Sequence, residues 1–138
     1  MRHFRYFLLT ALFAFALAAN CQQMYDRSGS FIGRIDKERL YDRSGSYVGR
    51  IESERYYDRS GSYLGYTSGN RFYDRTGSYV GYTDRDRFYD RTGSYLGYTS
   101  KGSVYDRSGS FMGRVNNVPV RVIALIYFYR VYDLYKAN

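Results

Sequence analysis

The sequence contains few of the residues from which catalytic and metal sites are usually built. Its 138 residues include one cysteine, one histidine, one proline and no tryptophan. A single cysteine excludes an internal disulfide and a zinc site built on cysteines. Glycine-rich phosphate loops, nucleophile elbows and paired metal ligands are also absent from the sequence. The composition therefore predicts a protein that is not an enzyme and that has no cofactor or metal ion.

Aromatic residues, in contrast, are abundant: 19 Tyr and 9 Phe make up 20% of the chain. This content argues against simple disorder, which requires low hydrophobicity. The formal net charge is +8, but most basic residues alternate with acidic ones. The charge excess fits a general attraction to acidic surfaces and does not predict nucleic-acid binding.

Residues 1–21 form a candidate signal peptide. Arg2 and Arg5 precede an apolar run from Tyr6 to Ala19, which is short for a membrane-spanning helix of about 20 residues. This pattern predicts export across a bacterial-type inner membrane to the periplasm, the cell surface or the medium, and an uncleaved anchor is the alternative. Cleavage would also remove His3, the one imidazole of the sequence.

The end of this segment allows cleavage after Ala18 or after Cys21. Cys21 is also a candidate for lipidation, although Asn20 stands where a smaller residue usually precedes a lipidated cysteine. We expect contact with a membrane only through such a lipid anchor or through the C-terminal segment.

Residues 22–115 are built on a sixteen-residue repeat without insertions. Each copy opens with Tyr-Asp-Arg-Ser/Thr-Gly-Ser, followed by an aromatic residue at position seven, an aliphatic residue or Met at position eight and Gly at position nine. Five copies are complete, each ending in an apolar residue, and the sixth keeps its first eleven positions. The copies begin at Tyr25, Tyr41, Tyr57, Tyr73, Tyr89 and Tyr105.

The opening motif of each copy is a turn sequence. Its Asp can accept hydrogen bonds from backbone amides two residues on, and its Gly can adopt a positive φ. The flanking segments, such as Arg71–Tyr73 and Ser78–Tyr82, are short, aromatic and β-branched, so they predict two strands joined as a hairpin. A second polar turn, such as residues 84–86, separates the copies.

Neighbouring hairpins must pack together, because sixteen residues cannot bury a core alone. They could surround an axis as petals of a closed ring, or they could stack as an open solenoid with exposed edges. The incomplete last copy favours the closed ring, with the two ends of the repeat domain sharing one petal. The glycine at position nine lies in mid-strand, which predicts that another backbone or a Tyr ring approaches closely there.

The repeats resemble a known family, the five-fold β-flower proteins, which are short exported bacterial proteins with tandem Tyr-Asp-x-x-Gly units. Residues Met24–Ile35 carry this resemblance best, and it covers residues 24–115 and extends to the apolar C-terminal tail. It implies an all-β fold of radially arranged hairpins, and it implies no established activity. Copies three to five have Tyr-Thr in place of the family's Arg-Ile, so five-fold and six-fold symmetry both stay open.

Residues 116–138 form an apolar C-terminal segment. Pro119 fits the first turn of a helix, and three charged residues, Arg121, Arg130 and Asp133, disfavour a membrane span. We predict a helix packed over one face of the ring; a strand, or an exposed docking segment for a membrane or a partner, is the alternative. Apolar residues recur at helical spacing at Val120, Ile123, Tyr127, Val131 and Leu134.

The sequence has one candidate binding site and no catalytic one. Tyr66, Tyr82 and Tyr98 occupy the same position in three successive copies. The favoured interpretation is that these rings pack within the fold, and the alternative is a row that stacks on sugars or peptides. The six Asp-Arg pairs are interpreted as turn caps, since a catalytic site is normally a unique arrangement.

These observations predict an exported, non-enzymatic repeat protein with a structural or binding role at the cell envelope. The alternative is a module that binds glycan or peptidoglycan through exposed Tyr rows. The expected partners are therefore a glycan or a protein of the envelope, without nucleic acid. The exposure of the Tyr rings distinguishes the two hypotheses.

Overall fold

The computed structural model describes residues 22–135, so the predicted signal peptide and the candidate lipidation site Cys21 lie outside the described residues. The repeats form short strands in pairs, one of four and one of six residues. The strands are β1 (Gln22–Tyr25), β2 (Phe31–Asp36), β3 (Arg39–Asp42), β4 (Tyr47–Glu52), β5 (Arg55–Asp58), β6 (Tyr63–Ser68), β7 (Arg71–Asp74), β8 (Tyr79–Asp84), β9 (Arg87–Asp90), β10 (Tyr95–Ser100), β11 (Ser103–Asp106) and β12 (Phe111–Asn116).

The twelve strands close into an antiparallel barrel. Each strand pairs with its neighbours in sequence, and β1 pairs with β12, so that Met24 lies opposite Val115. The predicted all-β closed arrangement is confirmed, and the open solenoid is wrong. Five hairpins, from β2–β3 to β10–β11, are closed by two-residue turns, and the pair β12–β1 completes the circle. The two ends of the repeat domain thus share one petal, as predicted.

The opening motif of each repeat forms the predicted turn. The Asp26 carboxylate accepts hydrogen bonds from the N–H of Ser28 at 2.9 Å, its hydroxyl at 2.7 Å and the N–H of Ser30 at 3.0 Å. Gly29 has a φ of 86°, a conformation that glycine adopts at little cost. Six such turns lie at one end of the barrel, which we call the Asp-turn rim, and the two-residue turns lie at the opposite rim.

The alternation of side chains along each strand separates an inner from an outer face. Inside, Leu40 lies opposite Ile35 on one neighbouring strand and opposite Gly49 on the other. Outside, Arg34 lies opposite Tyr41. The core is therefore the interior of the barrel, lined by the apolar residue that ends each repeat and by Met24 at the equivalent place: Leu40, Tyr56, Phe72, Phe88 and Val104, all at most 2% exposed.

The C-terminal segment passes through this interior. It contains one α-helical turn, α1 (Val120–Ile123), followed by a π-helical turn, Ala124–Phe128, and residues 122–127 are at most 2% exposed. Val120 lies beside Lys101 at the two-residue-turn rim, whereas Tyr135 lies beside Asp26 at the Asp-turn rim. Residues 118–135, which we call the tail, therefore cross the barrel from one rim to the other.

The predicted C-terminal helix is confirmed over residues 120–128, but it is shorter than the apolar spacing indicated and lies inside the barrel rather than over one face. The physical reason is the size of the barrel. About eight strands enclose a space that their own side chains can fill, and twelve strands with a glycine at position nine leave room for a further chain segment. Within residues 22–135, every helix is too short or too polar to traverse a bilayer.

Thr67 and Thr99 occupy the same repeat position inside the barrel, but their hydroxyls differ. The Thr99 hydroxyl donates to the carbonyl oxygen of Ser103 at 2.8 Å, whereas the Thr67 hydroxyl is buried without a hydrogen-bond partner within residues 22–135. An unpaired buried polar group costs about 1–3 kcal/mol, and a made hydrogen bond contributes about 1 kcal/mol.

We therefore expect Thr67→Val to raise the free energy of unfolding and Thr99→Val to lower it, each by about 1 kcal/mol in urea titrations. Effects of the same sign would contradict this assignment.

Candidate functional site

Three pairs of stacked tyrosines lie on the outer wall of the barrel. Tyr66 lies opposite Tyr73 on the adjacent strand, and their ring centroids are 4.8 Å apart at an interplanar angle of 12°. The same geometry recurs in the next two hairpins. There the pairs are Tyr82–Tyr89, at 4.7 Å and 9°, and Tyr98–Tyr105, at 4.8 Å and 19°. We call these pairs the tyrosine stacks.

The tyrosine stacks lie outside the core. All six rings are half-buried, and none belongs to the buried cluster in the barrel interior. Each stack lies within one hairpin, between β6 and β7 in the first case, rather than between hairpins. The structure thus brings Tyr66, Tyr82 and Tyr98 onto one wall, with one ring face covered by a partner tyrosine. Their use in ligand binding stays a prediction.

The other half of the outer wall carries arginines at the same repeat position. The Arg34 guanidinium lies 4.2 Å from the centroid of the Tyr41 ring, and the Arg50 guanidinium lies 4.4 Å from that of Tyr57. Arg114 in β12 occupies the equivalent place in the sixth repeat. Because β12 and β2 both pair with β1, the three arginines are adjacent around the barrel. The outer wall therefore has a tyrosine half and an arginine half. The arginine half forms only because closure of the barrel brings β12 beside β1 and β2.

The turn aspartates are engaged within their own turns. The Ser28 hydroxyl bound to the carboxylate, together with backbone N–H groups, holds the pKa of Asp26 below its ordinary value. A pKa lowered by folding stabilises the protein above the unfolded value of about 4, and the contribution is lost as the pH falls through the folded pKa. Such a carboxylate stays ionised at neutral pH and is unsuited to act as a general acid. The hydroxyl at the fourth repeat position likewise lowers the pKa of Asp42, Asp58, Asp74, Asp90 and Asp106.

Within residues 22–135, no group of three or more His, Cys, Asp or Glu side chains could hold a metal ion. Arg85, in the acidic turn between β8 and β9, has a φ of 56°. This turn closes a hairpin in which Asp84 lies opposite Arg87. The structure thus accounts for the turn as a strand connection.

A second set of polar contacts, missed by sequence reasoning, joins the tail to the barrel. The Tyr129 hydroxyl donates to the carbonyl oxygens of Tyr82, at 3.0 Å, and Tyr89, at 2.8 Å. The ring of Tyr129 covers Gly81, where an added Cβ would lie 2.9 Å from a ring carbon. The predicted close approach of a Tyr ring to the position-nine glycine is confirmed. The repeat pattern indicated the glycine, but it did not identify the tail as the source of the ring.

Comparison with known families gives one match. The family model described as 5-fold beta-flower protein matches residues 21–131, which is most of the chain. The chain is a β-flower protein. No curated protein and no solved structure matches it. In this β-flower protein the described residues contain six Asp turns and five two-residue turns, because the sixth strand pair joins the two ends of the repeat domain.

Proposed function

We propose that this β-flower protein is exported and acts without catalysis, through a structural or binding role at the cell envelope. The observation that carries the proposal is that the six turn carboxylates all have the same structural role, since each accepts hydrogen bonds inside its own turn. Its proposed location rests on the basic and apolar pattern of residues 1–21.

Fractionation of bacteria that express the full chain with a C-terminal tag tests the location. We expect the protein in the envelope or periplasmic fraction, with a mass lowered by cleavage. Replacing both Arg2 and Arg5 with Glu should retain it in the cytoplasm, because the basic end of a signal directs export. Cys21→Ser serves to distinguish a lipid anchor, since it would release a lipidated form from the membrane. An uncleaved wild-type chain in the cytoplasm would contradict the proposal.

A second candidate function is the binding of glycan or peptidoglycan by the tyrosine stacks. It is supported by the position of the three half-buried pairs on one wall, outside the core. Aromatic rings with an apolar face and a hydroxyl at the edge suit ligands that are flat and polar at their rims. The neighbouring stacks repeat at the spacing of successive hairpins, which fits a repetitive polymer better than a single small molecule.

A triple substitution, Tyr66, Tyr82 and Tyr98 to Ser, tests this candidate. We expect pull-down by peptidoglycan to fall at least about tenfold, a loss of roughly 1.4 kcal/mol, while circular dichroism still shows a folded barrel. Cross-strand pairs contribute about 0.2–1 kcal/mol each, so the fold should persist. The matched control replaces Arg34, Arg50 and Arg114 with Ser. These arginines hold the same repeat position on the opposite half of the wall, so this variant should still bind peptidoglycan. Unchanged binding by the tyrosine variant would reject glycan recognition by this wall.

A further inference from the structure

Five of the six position-nine glycines are covered by a side chain of the tail, and the sixth is not. A Cβ added at any of the five would meet a tail atom at 2.8–2.9 Å. At Gly65, in the β6–β7 hairpin, the three atoms nearest to an added Cβ are instead backbone atoms of Tyr73 and Asp74. The covered pairs are Gly33 with Leu134, Gly49 with Tyr132, Gly81 with Tyr129, Gly97 with Phe128 and Gly113 with Tyr127.

An open cleft borders this hairpin, lined there by Leu64, the neighbour of Gly65 in the chain, and by Asp74, which lies opposite Gly65. It has a volume of about 370 Å³, and its walls include Leu64, Phe72, Val80 and Leu125. The mouth lies at the Asp-turn rim, and the tail contributes Val131, whose side chain is half-buried. We call this feature the rim cleft. An apolar cavity of about 150 Å³ already admits benzene, so the rim cleft has room for an aromatic ring with a substituent.

In the two flanking hairpins, a tyrosine of the tail occupies the equivalent place. In the β4–β5 hairpin, the Tyr132 hydroxyl donates to the carbonyl oxygens of Arg50 and Tyr57, each at 2.9 Å. In the β8–β9 hairpin, Tyr129 makes the same pair of bonds to Tyr82 and Tyr89. Each ring thus lies against a glycine while its hydroxyl joins two strands.

The sixteen-residue repeat identifies the equivalent acceptors in the β6–β7 hairpin, which contributes Leu64 and Tyr73 to the rim cleft. They are the carbonyl oxygens of Tyr66 and Tyr73, which pair across β6 and β7 in the register of the flanking hairpins. Within residues 22–135, no tail hydroxyl reaches these two oxygens, whereas their counterparts in both neighbours accept one. An apolar ring-sized space therefore adjoins two acceptors for one hydroxyl donor: Tyr73 lines the cleft, and Tyr66 is its partner on the adjacent strand.

We propose that the rim cleft is a binding site for a small para-substituted phenol. The aromatic ring lies over Gly65, the hydroxyl donates to the carbonyl oxygens of Tyr66 and Tyr73, and the para substituent points to the mouth beside Asp74 and Arg75. The ligand thereby takes the place that Tyr129 and Tyr132 hold in the flanking hairpins. This site is separate from the tyrosine stacks, so its test is independent of glycan binding.

Titration of the protein, expressed from the full chain, with p-cresol, followed by two-dimensional NMR, tests the proposal. We expect saturable one-to-one binding, with the largest shifts at the amides of Gly65, Tyr73 and Asp74. Toluene has nearly the same shape without the hydroxyl, and we expect it to bind about five- to tenfold more weakly, since it makes no hydrogen bond. Absence of saturable binding, equal affinity for toluene, or shifts confined to another surface would overturn the proposal.

Two substitutions in the tail separate binding from stability. Val131→Tyr supplies a phenol ring from the tail itself, so it should raise the Tm and abolish p-cresol binding. Val120→Ala shortens a half-buried tail residue at the opposite rim, away from the cleft, and should keep the affinity within about twofold, a change below about 0.5 kcal/mol. Val80→Phe fills the cleft from the barrel side and should also abolish binding, which keeps the test decisive if the tail variant fails to fold. Undiminished binding by a folded Val131→Tyr or Val80→Phe variant would overturn the assignment.

Discussion

Gly81→Val is expected to lower the free energy of unfolding by about 3 kcal/mol or more, the upper range for an overpacked core. An added Cβ would collide with the carbonyl oxygen of Tyr89 on the paired strand and would lie 2.9 Å from the Tyr129 ring. The carbonyl belongs to the β8–β9 ladder and cannot move without breaking it. Urea unfolding followed by circular dichroism measures the loss.

Two further variants locate the cause of this destabilisation. Arg85→Ala changes an exposed turn residue of the same hairpin and should cost less than about 0.5 kcal/mol. Adding Tyr129→Ala to Gly81→Val removes the ring but leaves the backbone collision, so it should not restore stability. If the second substitution restored wild-type stability, the ring rather than the strand would be the limiting contact. If Gly81→Val and Arg85→Ala had equal effects, the strand and the turn would be misassigned.

Ending the chain after Asn117 is expected to abolish cooperative folding of the barrel. The truncation removes Leu125, Ile126 and Leu134, which have no exposed surface. Loss of one buried Leu or Ile side chain costs about 2–5 kcal/mol, and small domains have a total stability of about 5–15 kcal/mol. It also removes the hydroxyls that join strands β4 to β5 and β8 to β9. Thermal melting should show no sharp transition.

A graded series makes the role of the tail quantitative. Leu125→Ala truncates a fully buried side chain and should lower the free energy of unfolding by about 2–5 kcal/mol. Val131→Ala, at the half-buried rim, should cost clearly less. A synthetic peptide of residues 118–135 added to the truncated chain should restore part of the melting transition, because the same contacts would form between two molecules. A truncated monomer with a sharp melt near the wild-type temperature would show that the barrel stabilises itself without the tail.

The local structure was predictable because its determinants lie close together in the chain. An Asp two residues before a hydroxyl residue and three before a Gly defines the turn at Asp26, and the observed hydrogen bonds to Ser28 and Ser30 follow from that spacing. Alternating aromatic and aliphatic residues define the strands on either side. The glycine at position nine indicated a close contact for the same reason, since a mid-strand glycine is otherwise unfavourable.

The position of the tail could not be predicted from local sequence patterns. Spacing from Val120 to Leu134 fits a helix, but the helix ends at Phe128, because the residues beyond it reach individual hairpins. Tyr129 and Tyr132 each bind backbone carbonyls that are at least 40 positions away in the sequence. No local pattern encodes the curvature of a barrel or the space within it, so the place of the tail could not be inferred from periodicity.

The sequence by itself determined the sixteen-residue hairpin, its turns, the closed all-β arrangement and the family, because each repeat carries its own short-range signals and six copies repeat them. Tertiary structure alone decided that the tail fills the interior, that the outer wall has a tyrosine half and an arginine half, and that Gly65 lacks the covering that the other five glycines receive. The physical reason is that closure brings repeat six beside repeat one and encloses a volume that no single repeat defines. How that volume is filled depends on contacts between residues far apart in the chain.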